Sequence, residues 1–291
     1  MNQPRQFPEQ ALLSKTSTRL SFVKQDVGAD VTLLLLHGVT RRALDWMPAF
    51  PALSGFGNLF ACDFRGHGES DRGSSYFVTD YADDVVEFLS AEVASPVVIV
   101  GHSLGAMVAA AVAARLPERV RAVVLEDPPF ETMGAAIIGT AWQHQFIGMQ
   151  SVVQKASGDA GMADRLADVS IPQADGSSKK LGELRSKASL EWSAQCLQTV
   201  DPGVFTPLIQ GRWLHGYDRS QILPAIRCPA LLLQADPHSG GALTDADAVG
   251  AAAAMQRCRH VRLGGAGHQL HRDHLEAFIS CLNDFMSQSL G

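Results

Sequence analysis

The sequence has few of the features that mark disulfide-rich or zinc-binding proteins. Its 291 residues include five cysteines, an odd number, spread along the chain as Cys62, Cys196, Cys228, Cys258 and Cys281. None forms a C-x-x-C pair or another metal-ligand spacing, which argues against a disulfide framework and a structural metal site. We therefore expect reduced, mostly buried thiols and no metal.

Positive charge and long apolar runs are also scarce. The chain carries 24 Lys+Arg against 30 Asp+Glu, a formal charge of −6, and it has no basic run. This balance argues against nucleic acid or an anionic membrane surface as a partner. There is no run of eighteen apolar residues, and the polar N-terminus has no hydrophobic segment typical of a signal peptide. We expect a cytoplasmic protein whose partner is a small molecule.

What the sequence does contain is an alternation of short apolar runs and helical patterns. Continuous apolar runs are typical of parallel strands that are buried on both faces. Alternating strands and helices predict an α/β fold with a doubly wound, mostly parallel sheet that binds ligands at the carboxyl ends of its strands. The runs are 31–36, 58–62, 97–100, 122–125, 230–233 and 261–263, with helical patterns at about 42–53, 79–93, 104–115, 243–257 and 272–288.

The alternation breaks between Pro129 and Ile222, where the pattern is helical and irregular. We predict a core of residues 1–128 and 223–291, with residues 129–222 inserted after the sixth strand as a helical cap. Trp142, Phe146 and Trp213 are candidates for the wall of an apolar substrate pocket. The alternative is that these aromatic side chains form the small core of the cap itself.

The stretch that organises the chain is Gly101-His-Ser-Leu-Gly105, which follows an apolar run and precedes a helical one. A sharp strand-to-helix turn of this kind holds a serine in a strained backbone conformation, and side chains at the two glycine positions would collide with it. The setting predicts a nucleophile elbow with Ser103 as the nucleophile. An ordinary tight turn is the alternative.

Together with three further motifs, this stretch resembles the α/β-hydrolase fold superfamily, in particular its capped esterases, lactonases and C–C hydrolases. The other motifs are His37-Gly38, Asp63-Phe-Arg-Gly-His-Gly-Glu-Ser70 and Gly264-Gly-Ala-Gly-His268. The resemblance implies an eight-stranded sheet and a Ser-His-Asp triad that needs no cofactor. It covers the core and says little about the cap.

The resemblance also implies roles for particular residues. His268, after the glycine-rich turn that follows the last strand, corresponds to the general base. The backbone N–H groups of Val39 and Leu104 correspond to the oxyanion hole. We interpret His102 as a packing residue and His67 as part of a structural turn. His271 and His274 are expected to be solvated or to support the site from outside.

The triad acid has more than one candidate. Relatives usually carry it after the seventh strand, where this chain reads Gln234-Ala-Asp236 with Ala235 in place of a glycine. Asp236 is therefore the first choice, although it falls one residue early. Asp127, at the end of the sixth strand, is the second choice, and Asp245 and Asp247 follow.

A serine at position 103 excludes the aspartate nucleophile of epoxide hydrolases and haloalkane dehalogenases of this fold. We expect hydrolysis of a carboxylic ester or lactone with an apolar portion through an acyl-enzyme intermediate. A C–C bond hydrolase, an amidase or a perhydrolase would use the same triad. A ligand receptor of this fold with slow turnover is an alternative of another class.

Overall fold

The computed structural model describes residues 12–155, 161–173 and 175–290. Its main sheet has eight strands: β1 (Leu12–Leu13), β2 (Ser21–Gln25), β3 (Thr32–Leu36), β4 (Asn58–Cys62), β5 (Val97–His102), β6 (Val120–Glu126), β9 (Ala230–Ala235) and β10 (Cys258–Leu263). Their order in the sheet is β1-β2-β4-β3-β5-β6-β9-β10. All neighbours pair in parallel except β1 with β2 and β2 with β4. The fold class predicted from sequence is confirmed.

Helices cover both faces of this sheet because its apolar strand residues alternate between two separate cores. In β3, Leu34 and Leu36 belong to the cluster that includes the first long helices, whereas Leu33 and Leu35 belong to the cluster that includes the C-terminal helix. Such strands are buried on both faces, which is why they are continuous apolar runs. The core helices are α1 (Phe50–Leu53), α2 (Val78–Glu92), α3 (Leu104–Arg115), α10 (Asp245–Ala254), α11 (Leu270–Asp273) and α12 (Leu275–Leu290).

Residues 129–222, which we call the cap segment, lie between β6 and β9. Their described part holds helices and one small antiparallel hairpin: α4 (Ala141–Gln154), α5 (Met162–Ala167), β7 (Ser170–Pro172), β8 (Ser178–Lys180), α6 (Leu181–Leu184), α7 (Lys187–Leu197), α8 (Phe205–Ile209) and the first residues of α9 (Arg219–Ala225), which continues past residue 222. Its apolar side chains, including Phe146 and Trp213, join the same cluster as α2 and α3. The division of the chain into core and cap stays a prediction.

The expectation of reduced, mostly buried thiols agrees with the structure, because the five cysteines are free and three of them are buried. In the described ranges, no group of three or more His, Cys, Asp or Glu side chains could hold a metal ion, and no helix has both the length and the hydropathy that a membrane span requires.

Candidate active site

Ser103 lies at the turn between β5 and α3 with φ 54° and ψ −114°, a conformation that L-residues rarely adopt. A Cβ atom on Gly101 would come within 2.2 Å of the Gly105 carbonyl oxygen, and one on Gly105 within 2.1 Å of the Leu36 carbonyl oxygen. These obstacles are backbone atoms that cannot rotate away. The crowding that the sequence pattern predicts is therefore present, and it fixes glycine at both positions.

His268 is paired with Asp127. Its Nδ1 lies 2.6 Å from Asp127 Oδ2, and the Asp127 side chain is fully buried. The carboxylate also accepts hydrogen bonds from the backbone N–H groups of Ala235 at 3.1 Å, Ala242 at 2.7 Å and Leu243 at 3.3 Å. A buried carboxylate with four hydrogen-bond donors is held in one orientation. It fixes the His268 proton on Nδ1 and leaves Nε2 as the basic nitrogen.

The structure corrects the first choice of acid, because Asp236 does not contact His268. Its carboxylate accepts from the backbone N–H groups of Gly265 at 2.8 Å and His238 at 3.0 Å, and from Arg262 at 3.3 Å. These bonds, that of Gly265 first, lower the pKa of Asp236. Asp236 thus ties the turn after β9 to the glycine-rich turn before His268. The remaining candidates, Asp245 and Asp247, pair with Arg262 and Arg219.

The register between β6 and β9 explains why Asp127 contacts His268 and Asp236 does not. Glu126, the last residue of β6, pairs with Leu233 of β9, so β9 continues past the end of its neighbour. Asp127 therefore lies at the carboxyl edge one strand away from β5, which carries Ser103. Asp236 lies farther along and one strand farther out. Its side chain meets the outer turn instead of the imidazole.

The loop after β3 carries one of the two predicted oxyanion-hole groups, the N–H of Val39. His37 fixes this loop from inside the fold: its Nδ1 donates to the Gly38 carbonyl at 2.8 Å and its Nε2 accepts from the Phe64 N–H at 3.0 Å. Burial lowers the pKa of His37 to about 3, so the ring is neutral. The second group is the N–H of Leu104, the first residue of α3, which has no acceptor within its own helix.

His67 supports the same loop, as a residue of a structural turn. Its Nδ1 donates to the Arg65 carbonyl at 2.9 Å, and its Nε2 accepts from the Thr40 N–H at 3.4 Å. Thr40 needs this support because its φ of 68° is unusual for a β-branched residue. Burial lowers the pKa of His67 to about 4. Two neutral histidines thus hold the backbone on both sides of Val39.

His102 is buried beside Ser103 and does more than pack. Its Nε2 donates to the backbone carbonyl of His268 at 2.9 Å, and the two rings lie 4.6 Å apart between centroids. Burial, followed by the nearby imidazoles of His268 and His271, lowers the pKa of His102 well below its ordinary value. A neutral ring therefore links the serine turn to the segment that carries the base.

His271 is also buried, so of the two expectations for it solvation is wrong and a supporting position remains, whereas His274 is exposed. Its Nδ1 bonds both carboxylate oxygens of Glu126 at 2.9 Å, and its Nε2 lies 3.2 Å from Asp45. Although burial opposes the charge, these carboxylates raise the pKa of His271 to about 9. Asp45 in turn accepts from Arg272. Sequence patterns do not reveal this ionic network, because its members are far apart in the chain.

Two cavities that share wall residues lie at the site. An inner cavity of about 50 Å³ is lined by Ser103, His268 and the predicted pocket residues Trp142, Phe146 and Trp213. An outer cleft of about 470 Å³ shares Trp142 and His268 with it and reaches the cap segment. The structure thus brings the sequence-predicted residues, with Asp127 in place of Asp236, to one location.

Comparison with known proteins identifies the family of this fold. The profile of the alpha/beta hydrolase fold family matches residues 31–275, and the chain belongs to this family. The N-formylmaleamate deformylase of Pseudomonas putida is 26% identical over 265 residues, which cover 90% of this chain and 91% of that protein. The 2-(acetamidomethylene)succinate hydrolase of Mesorhizobium japonicum is 35% identical over 117 residues, 39% of this chain and 42% of that protein. Among solved structures, the enol-lactonase of Burkholderia xenovorans has a TM-score of 0.72 at 20% identity, covering 95% of this chain and 100% of that one.

Proposed function

We propose that the protein is a serine hydrolase that cleaves a carboxylic ester or lactone through an acyl-enzyme intermediate. The observation that carries this proposal is the 2.6 Å contact between His268 and the buried Asp127, at a cavity that Ser103 also lines. A hydroxyl becomes a useful nucleophile only when a base takes its proton. Asp127 fixes the His268 tautomer in which Nε2 can do so.

In the proposed reaction, Ser103 Oγ attacks the carbonyl carbon and passes its proton to His268 Nε2. The N–H groups of Val39 and Leu104 donate to the oxyanion of the tetrahedral intermediate. The imidazolium, stabilised by Asp127, gives the proton to the leaving alkoxide, and an acyl-Ser103 ester remains. A water molecule, deprotonated by the same histidine, then releases the acid and restores the serine. Residues 129–222 act as a cap over this site and supply Trp142, Phe146 and Trp213 to its apolar side.

An amide is the second candidate for the scissile bond. Two of the relatives named above are a deformylase of an N-formyl compound and a hydrolase of an acetamidomethylene compound. The same triad cleaves both bond types, and the difference is that an amine must be protonated as it leaves. Comparison of kcat/KM on p-nitrophenyl acetate and p-nitroacetanilide distinguishes them, since a higher value on the anilide would move the assignment to an amidase.

The test of the mechanism is the Ser103→Ala variant. We expect its kcat on p-nitrophenyl acetate to fall by at least about a thousandfold, because the triad acts as a unit. The matched control is Ser90→Ala, which removes an exposed helical hydroxyl that donates to the Val86 carbonyl of its own helix. This control should keep wild-type activity. A Ser103→Ala protein with native circular dichroism and more than about a hundredth of wild-type activity would contradict the proposal.

A further inference from the structure

Two arginines line the inner cavity beside Ser103 and His268. Arg41 follows the β3 loop two residues after Val39, and Arg185 lies in the cap segment between α6 and α7. The Arg41 side chain is buried, whereas Arg185 is half-buried and also lines the outer cleft. Both cations therefore lie where a substrate would pass or bind, although the chain as a whole carries a formal charge of −6.

The hydrogen-bond partners of Arg41 are neutral. Its Nη1 donates to Ser193 Oγ at 2.9 Å. With the Gln269 amide turned so that its oxygen faces Arg41, this oxygen accepts from Nη2 at 2.5 Å and from Nε at 2.7 Å. Among the residues that the structure describes, no carboxylate oxygen comes within 4.0 Å of either guanidinium. Of the described residues, those in the wall of the inner cavity include no acidic side chain. The outer cleft has Asp273, whose charge acts on Arg185 from farther away.

The two arginines also act on each other. Burial, together with the like charge of Arg41, lowers the pKa of Arg185 to about 10, and Asp273 opposes this shift. Placing a cation in a partly desolvated wall without a counterion costs free energy. The nearby acids are already engaged, since Asp127 pairs with His268 and Asp45 pairs with His271 and Arg272. An anion from outside the protein is the missing partner.

The shape of the guanidinium group indicates which anion fits. A planar guanidinium matches a carboxylate with two parallel hydrogen bonds.

We propose that Arg41 and Arg185 bind a carboxylate carried by the substrate, so that the enzyme acts on an anionic acyl compound and not on a wholly apolar one. That the bound carboxylate belongs to the substrate rests on the proposed function, whereas the anion site itself does not. Arg41 follows the oxyanion-hole residue in the same loop, so it holds the carboxylate group close to the scissile carbonyl. Arg185 approaches the same group from the cap side.

Binding of maleate, a small planar dicarboxylate, tests the site without any need for turnover. Titration calorimetry would compare maleate with its uncharged diamide on wild type, Ser103→Ala and Arg185→Gln. We expect wild type and Ser103→Ala to bind maleate alike, and Arg185→Gln to bind it about 10- to 100-fold more weakly, the range for a lost charge-assisted hydrogen bond. Binding of the diamide should not change. Arg41→Gln should weaken maleate binding similarly, and its melting temperature would be measured because Arg41 is buried.

The control is Arg212→Gln, which removes a cation from an exposed position of the cap segment outside both cavities. It should bind maleate as wild type does. The proposal is overturned if maleate binds no better than the diamide, or if Arg185→Gln and Arg212→Gln bind it equally. If maleate binding depends on Arg185 but no ester is cleaved, the anion site stands and the proposed hydrolase function falls. If esters are cleaved and maleate does not bind, the proposed hydrolase function stands and the anion site falls.

Discussion

The carboxylate of Asp127 and the imidazole of His268 lie 2.6 Å apart although 141 residues separate them in the sequence. Asp127 directly follows β6, the third strand from one edge of the sheet, and His268 follows the turn after β10, the strand at that edge. Three backbone N–H groups from the β9 end and the loop after it also bond this carboxylate. The loop after β9, which carries the acid in many relatives, here supplies donors to an acid on the neighbouring strand.

The first prediction concerns Asp127→Asn. The amide keeps the shape of the carboxylate but removes the charge that balances the imidazolium, and it no longer fixes the His268 tautomer. We expect kcat on a p-nitrophenyl ester to fall by about three to four orders of magnitude with little change in KM. Steady-state kinetics at neutral pH would measure this.

Asp236→Asn is the matched control, because it makes the same chemical change one strand farther out. Asp236 bonds Gly265 and His238 and not the imidazole, so its variant should keep kcat within about tenfold of wild type. If the Asp236 variant lost activity and the Asp127 variant did not, the acid would be Asp236, as the family pattern first suggests.

The sequence predicts much of the fold because the relevant signals are local. Apolar runs mark the parallel strands, and Gly101 and Gly105 mark a turn that tolerates no Cβ atom. Some observed strands extend the predicted ones by a few residues, for example Val120–Glu126 where 122–125 is predicted. One local expectation is wrong: residues 18–25 alternate polar and apolar side chains as an edge strand does, but the strand found there, Ser21–Gln25, pairs on both sides.

The contacts that the sequence does not reveal are long-range. Which aspartate contacts His268 depends on the register between β6 and β9. No sequence pattern near Asp127 or Asp236 indicates this register. The pairing of His271 with Glu126 and Asp45 joins three separate segments. Arg41 and Arg185 resemble ordinary surface cations until the fold places both at one cavity. Glu126, an acid directly after the apolar run 122–125, is a local clue to the buried pairing.

The second prediction tests the elbow. Gly105→Ala would place a methyl group 2.1 Å from the Leu36 carbonyl oxygen, so the β5–α3 turn must shift. We expect a loss of about 1–3 kcal/mol in the free energy of unfolding and a lower kcat. Gly250→Ala, in the exposed helix α10 with open space around the new methyl group, should instead stabilise by about 0.5–1 kcal/mol. Equal effects of the two substitutions in urea unfolding would contradict the crowding argument.

The third prediction separates two tryptophans that line the inner cavity. Trp142 is half-buried and its ring lies 5.8 Å from that of His268, whereas Trp213 is fully buried in the main cluster. We expect Trp142→Ala to change the ratio of kcat/KM between short and long acyl esters with little effect on melting temperature. Trp213→Ala should cost about 3–5 kcal/mol of stability, because it leaves a large cavity. If Trp142→Ala lowered the rates on all esters equally and also the melting temperature, Trp142 would belong to the core.

The fourth prediction is a pH dependence of stability that arises from His271. Because Glu126 and Asp45 raise its pKa to about 9 against the burial that opposes it, its charged form stabilises the folded state. That contribution is fully present below the unfolded value of about 6.5 and is lost as the pH rises through about 9. His271→Gln leaves both carboxylates without their cation, and at pH 6 it should cost about 3–5 kcal/mol. The difference from wild type in urea unfolding should shrink by pH 9.5.

The control is His274→Gln, an exposed histidine three residues on, which should show no such trend. A His271→Gln deficit that stays constant from pH 6 to pH 9.5 would mean that His271 is neutral in the folded protein and that the ionic network does not form.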